Sequence, residues 1–214
     1  MSQKNVLISG LYAITPDEPN TAELLDKVRL VLSGGASVLQ YRNKAADAVL
    51  RRQQARALRE LTHEFSVPLI INDDVILAQQ VDADGVHLGG EDGSVIAARA
   101  QLGGGKLIGV SCYNRLALAH EAVQQGADYV AFGSFFASPV KPDAVAASPD
   151  LLRRARREIA VPVVAIGGIT VDNGAQLLEA GADALAVISA VFGAADIQGI
   201  ARQFSNLNYP EIRK

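Results

Sequence analysis

The 214 residues are enough for one domain with a sizeable core and awkward for two. Hydrophobic residues make up 49% and charged residues 20%, which excludes a disordered chain, and a formal net charge of −3 gives no global field for nucleic acid or an anionic membrane. The single cysteine, Cys112, excludes an intramolecular disulfide and a Cys-based structural zinc site, and its expected place is that of a small buried hydrophobe.

Near the start the apolar residues are interrupted by Gly10, Thr15 and Pro16, so no signal-peptide core is expected. No run approaches the roughly 20 apolar residues of a spanning helix, and a reducing cytoplasm is the expected setting. The apolar residues then fall into short runs: LYAIT (11–15), VLQY (38–41), PLIIN (68–72), GVHLG (85–89), LIGVS (107–111), YVAFG (129–133), PVVAIGG (162–168) and ALAVIS (184–189). Each has the length of a strand buried on both faces. Amphipathic stretches of helical period lie between them, for example 22–33, 47–65, 115–125, 149–159 and 172–180. Alternation of this kind argues for a parallel sheet with crossover helices.

A weak internal repeat counts the units. GGASVLQ (34–40), DADGVHL (82–88), QGADYVA (125–131) and AGADALA (180–186) each join a helix end to a strand start. VPLIIN (67–72) and VPVVAI (161–166) lie between copies, so four even strands alternate with four odd ones. The expected architecture is α/β, a single (β/α)8 barrel over 1–214 with a core of about 11–204 and a short exposed tail from about Asn206. An open doubly wound sheet is the alternative, but no GxGxxG or GxxxxGK[ST] follows the first strand. Gly103-Gly104-Gly105 precedes a strand and reads as a turn.

In such a barrel, chemistry sits at the C-terminal strand ends. The second strand ends in Gln40, Tyr41, Arg42, Asn43 and Lys44, and alternation puts Gln40, Arg42 and Lys44 on one face. Two cations and an amide on one face suit a phosphate; the alternative is a charged end in solvent. The third and fourth strands lead to Asn72-Asp73-Asp74 and Gly89-Gly90-Glu91-Asp92. Asp73 and Asp92 read equally as magnesium ligands or as helix caps, whereas Asp74 and Glu91 read as caps. Ser111, after the fifth strand, has no GxSxG around it. The sixth strand runs into a loop of about 15 residues with Ser138 and Lys141 as polar candidates and Phe135 and Phe136 as packing. Gly167-Gly168 and Ile188-Ser189 end the last two strands, where barrels commonly hold phosphate on backbone N–H groups. His63 and His120 fall in helices, and His87 reads as a core histidine bonded to a neighbour.

Taken together, LQYRNK (39–44), IINDD (70–74), GVHLGGED (85–92), GVS (109–111), GSFFASPVK (133–141), AIGGI (165–169) and VISA (187–190) resemble the thiamine-phosphate synthase family in its order along the chain. The resemblance implies a barrel enzyme that joins hydroxymethylpyrimidine diphosphate to a thiazole phosphate and releases pyrophosphate. It implies that Gln40, Arg42, Lys44, Asn72, Ser111 and Lys141 bind the diphosphate substrate, with Tyr41 and Asn43 in the same segment. Arg42, Lys44, Lys141 and Ser111 would be the catalytic set, and Asp73 and Asp92 would hold Mg2+. Ser138, Pro139, Val140, Gly168, Ile188 and Ser189 would bind the thiazole phosphate. The partners implied are these small molecules alone, with no nucleic acid and no membrane; a homo-oligomer stays open.

The chain departs from the family pattern at Ser134 and Ala137, where prolines are usual, at Val140 for a second Thr, at Gly90 for Gln, and at Cys112-Tyr113 for a Thr/Ser-His pair. Rival readings are a thiazole tautomerase-like paralogue, which leans on a His where Tyr113 stands, and a non-catalytic phosphate-binding barrel.

Overall fold

The computed structural model describes residues 8–89, 93–137 and 146–210. Eight strands, β1 (Gly10–Ile14), β2 (Val38–Tyr41), β3 (Leu69–Asn72), β4 (Gly85–Leu88), β5 (Leu107–Ser111), β6 (Tyr129–Phe132), β7 (Val163–Ile166) and β8 (Ala184–Val187), pair in parallel in sequential order and close on themselves. Between them run α1 (Thr21–Ser33), α2 (Ala48–Glu64), α3 (Val75–Gln80), α4 (Val95–Leu102), α5 (Leu116–Gln124), α6 (Pro149–Glu158) and α7 (Val171–Glu179). The short α8 (Ser189–Phe192) and then α9 (Ile197–Ser205) follow β8. The expected (β/α)8 barrel is therefore the observed fold.

Strand alternation splits the core into two layers. Outward residues such as Leu11, Leu39, Ile71, Val86, Ile108, Val130 and Leu185 pack against the helices. Inward residues such as Tyr12, Ile14, Val38, Ile70, Tyr129, Val164 and Ala186 fill the barrel. Both faces of every strand are thus covered, which is why the strands read as unbroken apolar runs.

The sequence repeat has a structural cause at the N-terminal end of the barrel. Asp84 accepts the Leu69 N–H and pairs with Arg59; Asp128 accepts the Ile108 N–H and pairs with Arg99; Asp183 accepts the Val163 N–H and pairs with Arg156. Each carboxylate ties the start of one strand to the start of the strand before it and draws in an arginine. At the fourth copy Ser37 does a related job, donating to the carbonyls of Ser9 and Leu11. The alanine that precedes each of these residues is buried.

Helix starts follow side-chain capping. Asn20 accepts the N–H groups of Ala22 and Glu23, Asp47 that of Leu50, Asp74 that of Leu77, and Asp196 that of Gly199. The reading of Asp74 as a cap matches this geometry. The chain end differs from expectation. Instead of an exposed tail from Asn206, Leu207 and Tyr209 pack against the helix layer. Their apolar surface gains more from that contact than from water, and two such side chains are too few to form a visible pattern. Among the described residues no helix is long and apolar enough to cross a membrane.

Candidate active site at the C-terminal mouth of the barrel

The end of β2 is held rigidly before any ligand arrives. The Thr15 hydroxyl donates to the Arg42 carbonyl and accepts the Arg42 N–H, both at 2.9 Å. Asp17 accepts the Lys44 N–H at 2.7 Å and stands 3.5 Å from the Arg42 guanidinium. Arg42 and Lys44 are thereby fixed at the rim by the loop after β1. Tyr41 and Asn43 point the other way. Tyr41 Oη donates to Gln54 on α2, and Asn43 Nδ2 donates to Gln54 and to the Glu18 carbonyl. Burial pushes the Tyr41 phenol pKa up, so it stays a neutral donor.

The β3 end meets this group. Asp73 adopts a left-handed φ of +61°, which directs its N–H onto the His87 carbonyl at 2.8 Å. Its carboxylate accepts from Asn72 Nδ2 at 2.6 Å and from the Gly89 N–H at 3.3 Å, and faces Lys44 Nζ at 3.7 Å. Asp is one of the few residues that tolerate this backbone region. A cleft of about 650 Å3 opens beside them, with Arg42, Lys44, Asn72, Asp73 and Arg51 in its wall.

A buried polar chain runs across the barrel below the rim. Gln40 Nε2 donates to Tyr12 Oη at 2.8 Å, which lies 2.8 Å from Tyr129 Oη. Tyr129 Oη lies 3.1 Å from His87 Nδ1, and His87 Nε2 lies 2.9 Å from Ser111 Oγ. Ser111 thus takes its place at the mouth through His87. His87 is the bonded core histidine expected from the sequence.

Burial drives the His87 pKa down from 6.5 to about 4. Because the folded pKa lies below the unfolded one, stability is whole above pH 6.5 and is lost as pH falls from 6.5 toward 4. There the unfolded chain takes up a proton that the folded one refuses. The window corresponds to about 3 kcal/mol. Melting followed from pH 7 to 4.5 should show a steeper acid loss for the native chain than for His87→Gln; equal slopes would refute this assignment.

At the opposite rim, Gly167, Gly168, Ile188 and Ser189 line a cleft of about 310 Å3. Gly167 has φ +106° and Gly168 φ +63°. A Cβ on Gly168 would stand 2.5 Å from the Ala137 carbonyl oxygen and 2.7 Å from that of Phe136. Only glycine lets these two backbone segments meet. Phe135 is in the core and Phe136 packs against it. Cys112 is fully buried, and burial pushes its thiol up to about 12, so it is inert packing.

Gly90, Glu91, Asp92, Ser138, Pro139, Val140 and Lys141 lie outside the described residues. Sequence reasoning missed Tyr12, Tyr129 and Asp17. The alternation of β1 and β6 carries the signal for the two tyrosines, as inward polar residues in otherwise apolar strands. Asp17 lies in a loop, where no periodicity marks it. The sequence showed no His–carboxylate pair by spacing; among the described residues the structure pairs His120 with Glu158 at 3.1 Å, exposed on the helix layer.

A closed parallel barrel with cations and a carboxylate at one rim and a glycine-lined cleft at the other defines a barrel enzyme whose mouth suits anionic ligands. Comparison with known proteins narrows the class. Residues 11–191 match the family model of thiamine monophosphate synthase. The chain is 58% identical over 200 residues to the thiamine-phosphate synthase of Methylobacillus flagellatus, covering 94% of this chain and 95% of that one. It is 54% identical to that of Nitrosospira multiformis, covering 94% and 86%. The solved thiamine phosphate pyrophosphorylase from Pyrococcus furiosus superposes with a TM-score of 0.83 at 38% identity, covering 94% of both chains. The chain belongs to the thiamine monophosphate synthase family, a family of transferases.

Proposed function

We propose that this chain joins 4-amino-2-methyl-5-hydroxymethylpyrimidine diphosphate to a thiazole phosphate, forming thiamine phosphate and pyrophosphate. The observation that carries the reading is the convergence of Arg42, Lys44 and Asp73 at one rim, facing a second, glycine-lined cleft. The first group suits a diphosphate and the second a phosphate bound by backbone.

The chemistry needs no general base. The path is dissociative: the C–O bond to pyrophosphate breaks with its electron pair on the leaving oxygen, the pyrimidine methylene carbon is left as a carbocation, and the thiazole nitrogen then forms the C–N bond with its lone pair. No proton is lost. Arg42 and Lys44 stabilise the charge that builds on the departing group, and their fixed backbone makes that stabilisation preorganised. Asn72 orients the Asp73 carboxylate, and Ser111 and Gln40 face the pyrimidine. Lys141 belongs to the same proposal by resemblance, as do Ser138, Pro139 and Val140 for the thiazole phosphate.

Magnesium fits the donor set. Among the described residues no group of three or more His, Cys, Asp or Glu gathers for a metal. Magnesium does not need one, since one or two carboxylates with water and substrate phosphate oxygens complete its shell. Asp73, with Asp92, would hold the ion, which when bound neutralises charge on the diphosphate.

The direct test is purified protein with both substrates and magnesium. Thiamine phosphate and pyrophosphate should appear in equal amounts. Binding of both substrates without product would overturn the proposal in favour of a non-catalytic binding barrel. At the second cleft, Gly168→Ala should raise KM for thiazole phosphate about tenfold or more while leaving KM for the diphosphate near its native value, because the new Cβ displaces the backbone of the phosphate pocket. An unchanged KM for thiazole phosphate would remove Gly168 from the site.

A further inference from the structure

Gln54 is fully buried on the inner face of α2, beside Ala55, Leu58 and Leu61. A hydrophobic side chain is the usual occupant of such a position, and a buried amide costs free energy unless it is hydrogen-bonded. Gln54 is bonded to three partners. Oε1 accepts from the Tyr41 hydroxyl at 2.8 Å and from Asn43 Nδ2 at 3.1 Å, and Nε2 donates to the Glu18 carbonyl at 2.8 Å. Asn43 Nδ2 also donates to that carbonyl, at 2.9 Å, and Asn43 Oδ1 accepts the Ala46 N–H at 3.1 Å. Main-chain groups fix the orientation of both amides, since a carbonyl only accepts and a backbone N–H only donates. Gln54 Nε2 and Asn43 Nδ2 therefore face Glu18, and Gln54 Oε1 is turned to Tyr41 and Asn43. Glu18 is itself anchored at the start of α1: its carboxylate accepts the Asn20 N–H and pairs with Lys27, both at 3.0 Å.

Tyr41 and Asn43 alternate with Arg42 and Lys44 along the chain. Whatever holds the first pair on the helix side therefore aims the second pair at the mouth. Asp17 accepts the Lys44 N–H, and the next residue, Glu18, joins Asn43 and Gln54. Gln54 thus touches the loop after β1 and the end of β2 from its own place on α2, outside the barrel. A hydrophobic residue there would fill the space as well; what the amide adds is a fixed distance between these segments.

We infer that Gln54 is a positioning residue for the cations of the rim: without touching substrate, it holds Tyr41 and Asn43 so that Arg42 and Lys44 stay aligned on the pyrophosphate as the C–O bond breaks. Donors that stabilise developing charge do so best when they need not reorganise, and a small displacement at the reacting centre costs rate. The inference rests on the proposed pyrophosphate-releasing reaction for its kinetic part. Its binding part needs only that the rim takes up inorganic pyrophosphate.

Gln54→Met keeps the length of the side chain and removes its three bonds. kcat should fall about 10- to 100-fold, with KM for thiazole phosphate near native. The dissociation constant of inorganic pyrophosphate, measured by calorimetry in the presence of magnesium, should rise about tenfold. Leu58→Ala, one turn along the same helix, opens a cavity in the core away from this network. It should lower the melting point yet leave kcat and pyrophosphate affinity within about twofold of native. Tyr41→Phe removes a single hydroxyl at a smaller cost to folding and should shift both quantities in the same direction as Gln54→Met, by about threefold. Native-like kcat and pyrophosphate affinity in Gln54→Met overturn the inference, as do equal losses in Leu58→Ala. Should Gln54→Met fail to fold, Tyr41→Phe decides, and no shift there overturns it. A native protein that binds pyrophosphate but forms no thiamine phosphate strikes the functional reading instead, and the pyrophosphate affinities then decide the role of Gln54.

Discussion

Gly109→Ala is expected to cost at least about 3 kcal/mol of stability and to abolish most activity. Gly109 lies on β5 beside Tyr129 on β6, and its missing side chain is the space that the Tyr129 ring occupies. A Cβ there would overlap Tyr129 Cζ and Oη. The ring has nowhere to go, because it is fully buried among Tyr12, Ile14 and Val164 inside a closed barrel. Interiors are packed like crystals, so the overlap must be relieved by moving a strand or expelling the ring. Expulsion also strips Tyr12 and His87 of their common partner. In a chain of this size the loss corresponds to a melting point about 6–12 °C lower. A Gly109→Ala protein melting within 2 °C of the native one would show that the barrel interior is softer than its packing implies. Shortening the ring in Gly109→Ala/Tyr129→Val should recover part of the stability but none of the polar chain.

Arg42→Ala is expected to lower kcat by about 10²- to 10³-fold with little change in stability. Among the described residues the Arg42 guanidinium makes a long 3.5 Å pair with Asp17, and the Asp17 side chain is 43% exposed, so removing the cation leaves no buried charge behind there. Its backbone contacts with Thr15 survive the substitution. What disappears is a planar, permanently charged donor at the rim where charge builds on the leaving pyrophosphate. Arg42→Lys should recover only part of the rate, since a point charge cannot reproduce a two-pronged contact. Steady-state kinetics with each substrate varied in turn separates the effects: KM for thiazole phosphate should stay near native. A kcat within threefold of native in Arg42→Ala would place the guanidinium outside the reaction.

These two cases mark how far sequence reasoning reaches. Arg42 was legible because cations at alternate positions of a strand end stand out against apolar neighbours. Gly109 was visible only as part of a short motif, and its role depends on a tyrosine 20 residues away that reaches it from the neighbouring strand. The same distinction runs through the site. Asp74 as a helix cap and His87 as a bonded core residue follow from local pattern. The Thr15 and Asp17 braces beneath Arg42 and Lys44 join residues about 27 positions apart and have no local signature.

The number of strands and their parallel order follow from the sequence itself, because each strand buried on both faces must be written as an apolar run. The repeat at Ala36, Ala83, Ala127 and Ala182 counts them, and the acids that follow three of these alanines prove to be ties between strand starts. Which polar residues meet inside the barrel is decided only by closure. Register sets Gln40 beside Ile70, His87 beside Gly109 and Tyr12 beside Ala186, and bending the sheet into a cylinder then brings β1, β2, β4, β5 and β6 to one axis. Pairing energy along a strand depends on neighbours, whereas contact across the axis depends on all eight strands together. The polar chain from Gln40 to Ser111 exists for that reason alone.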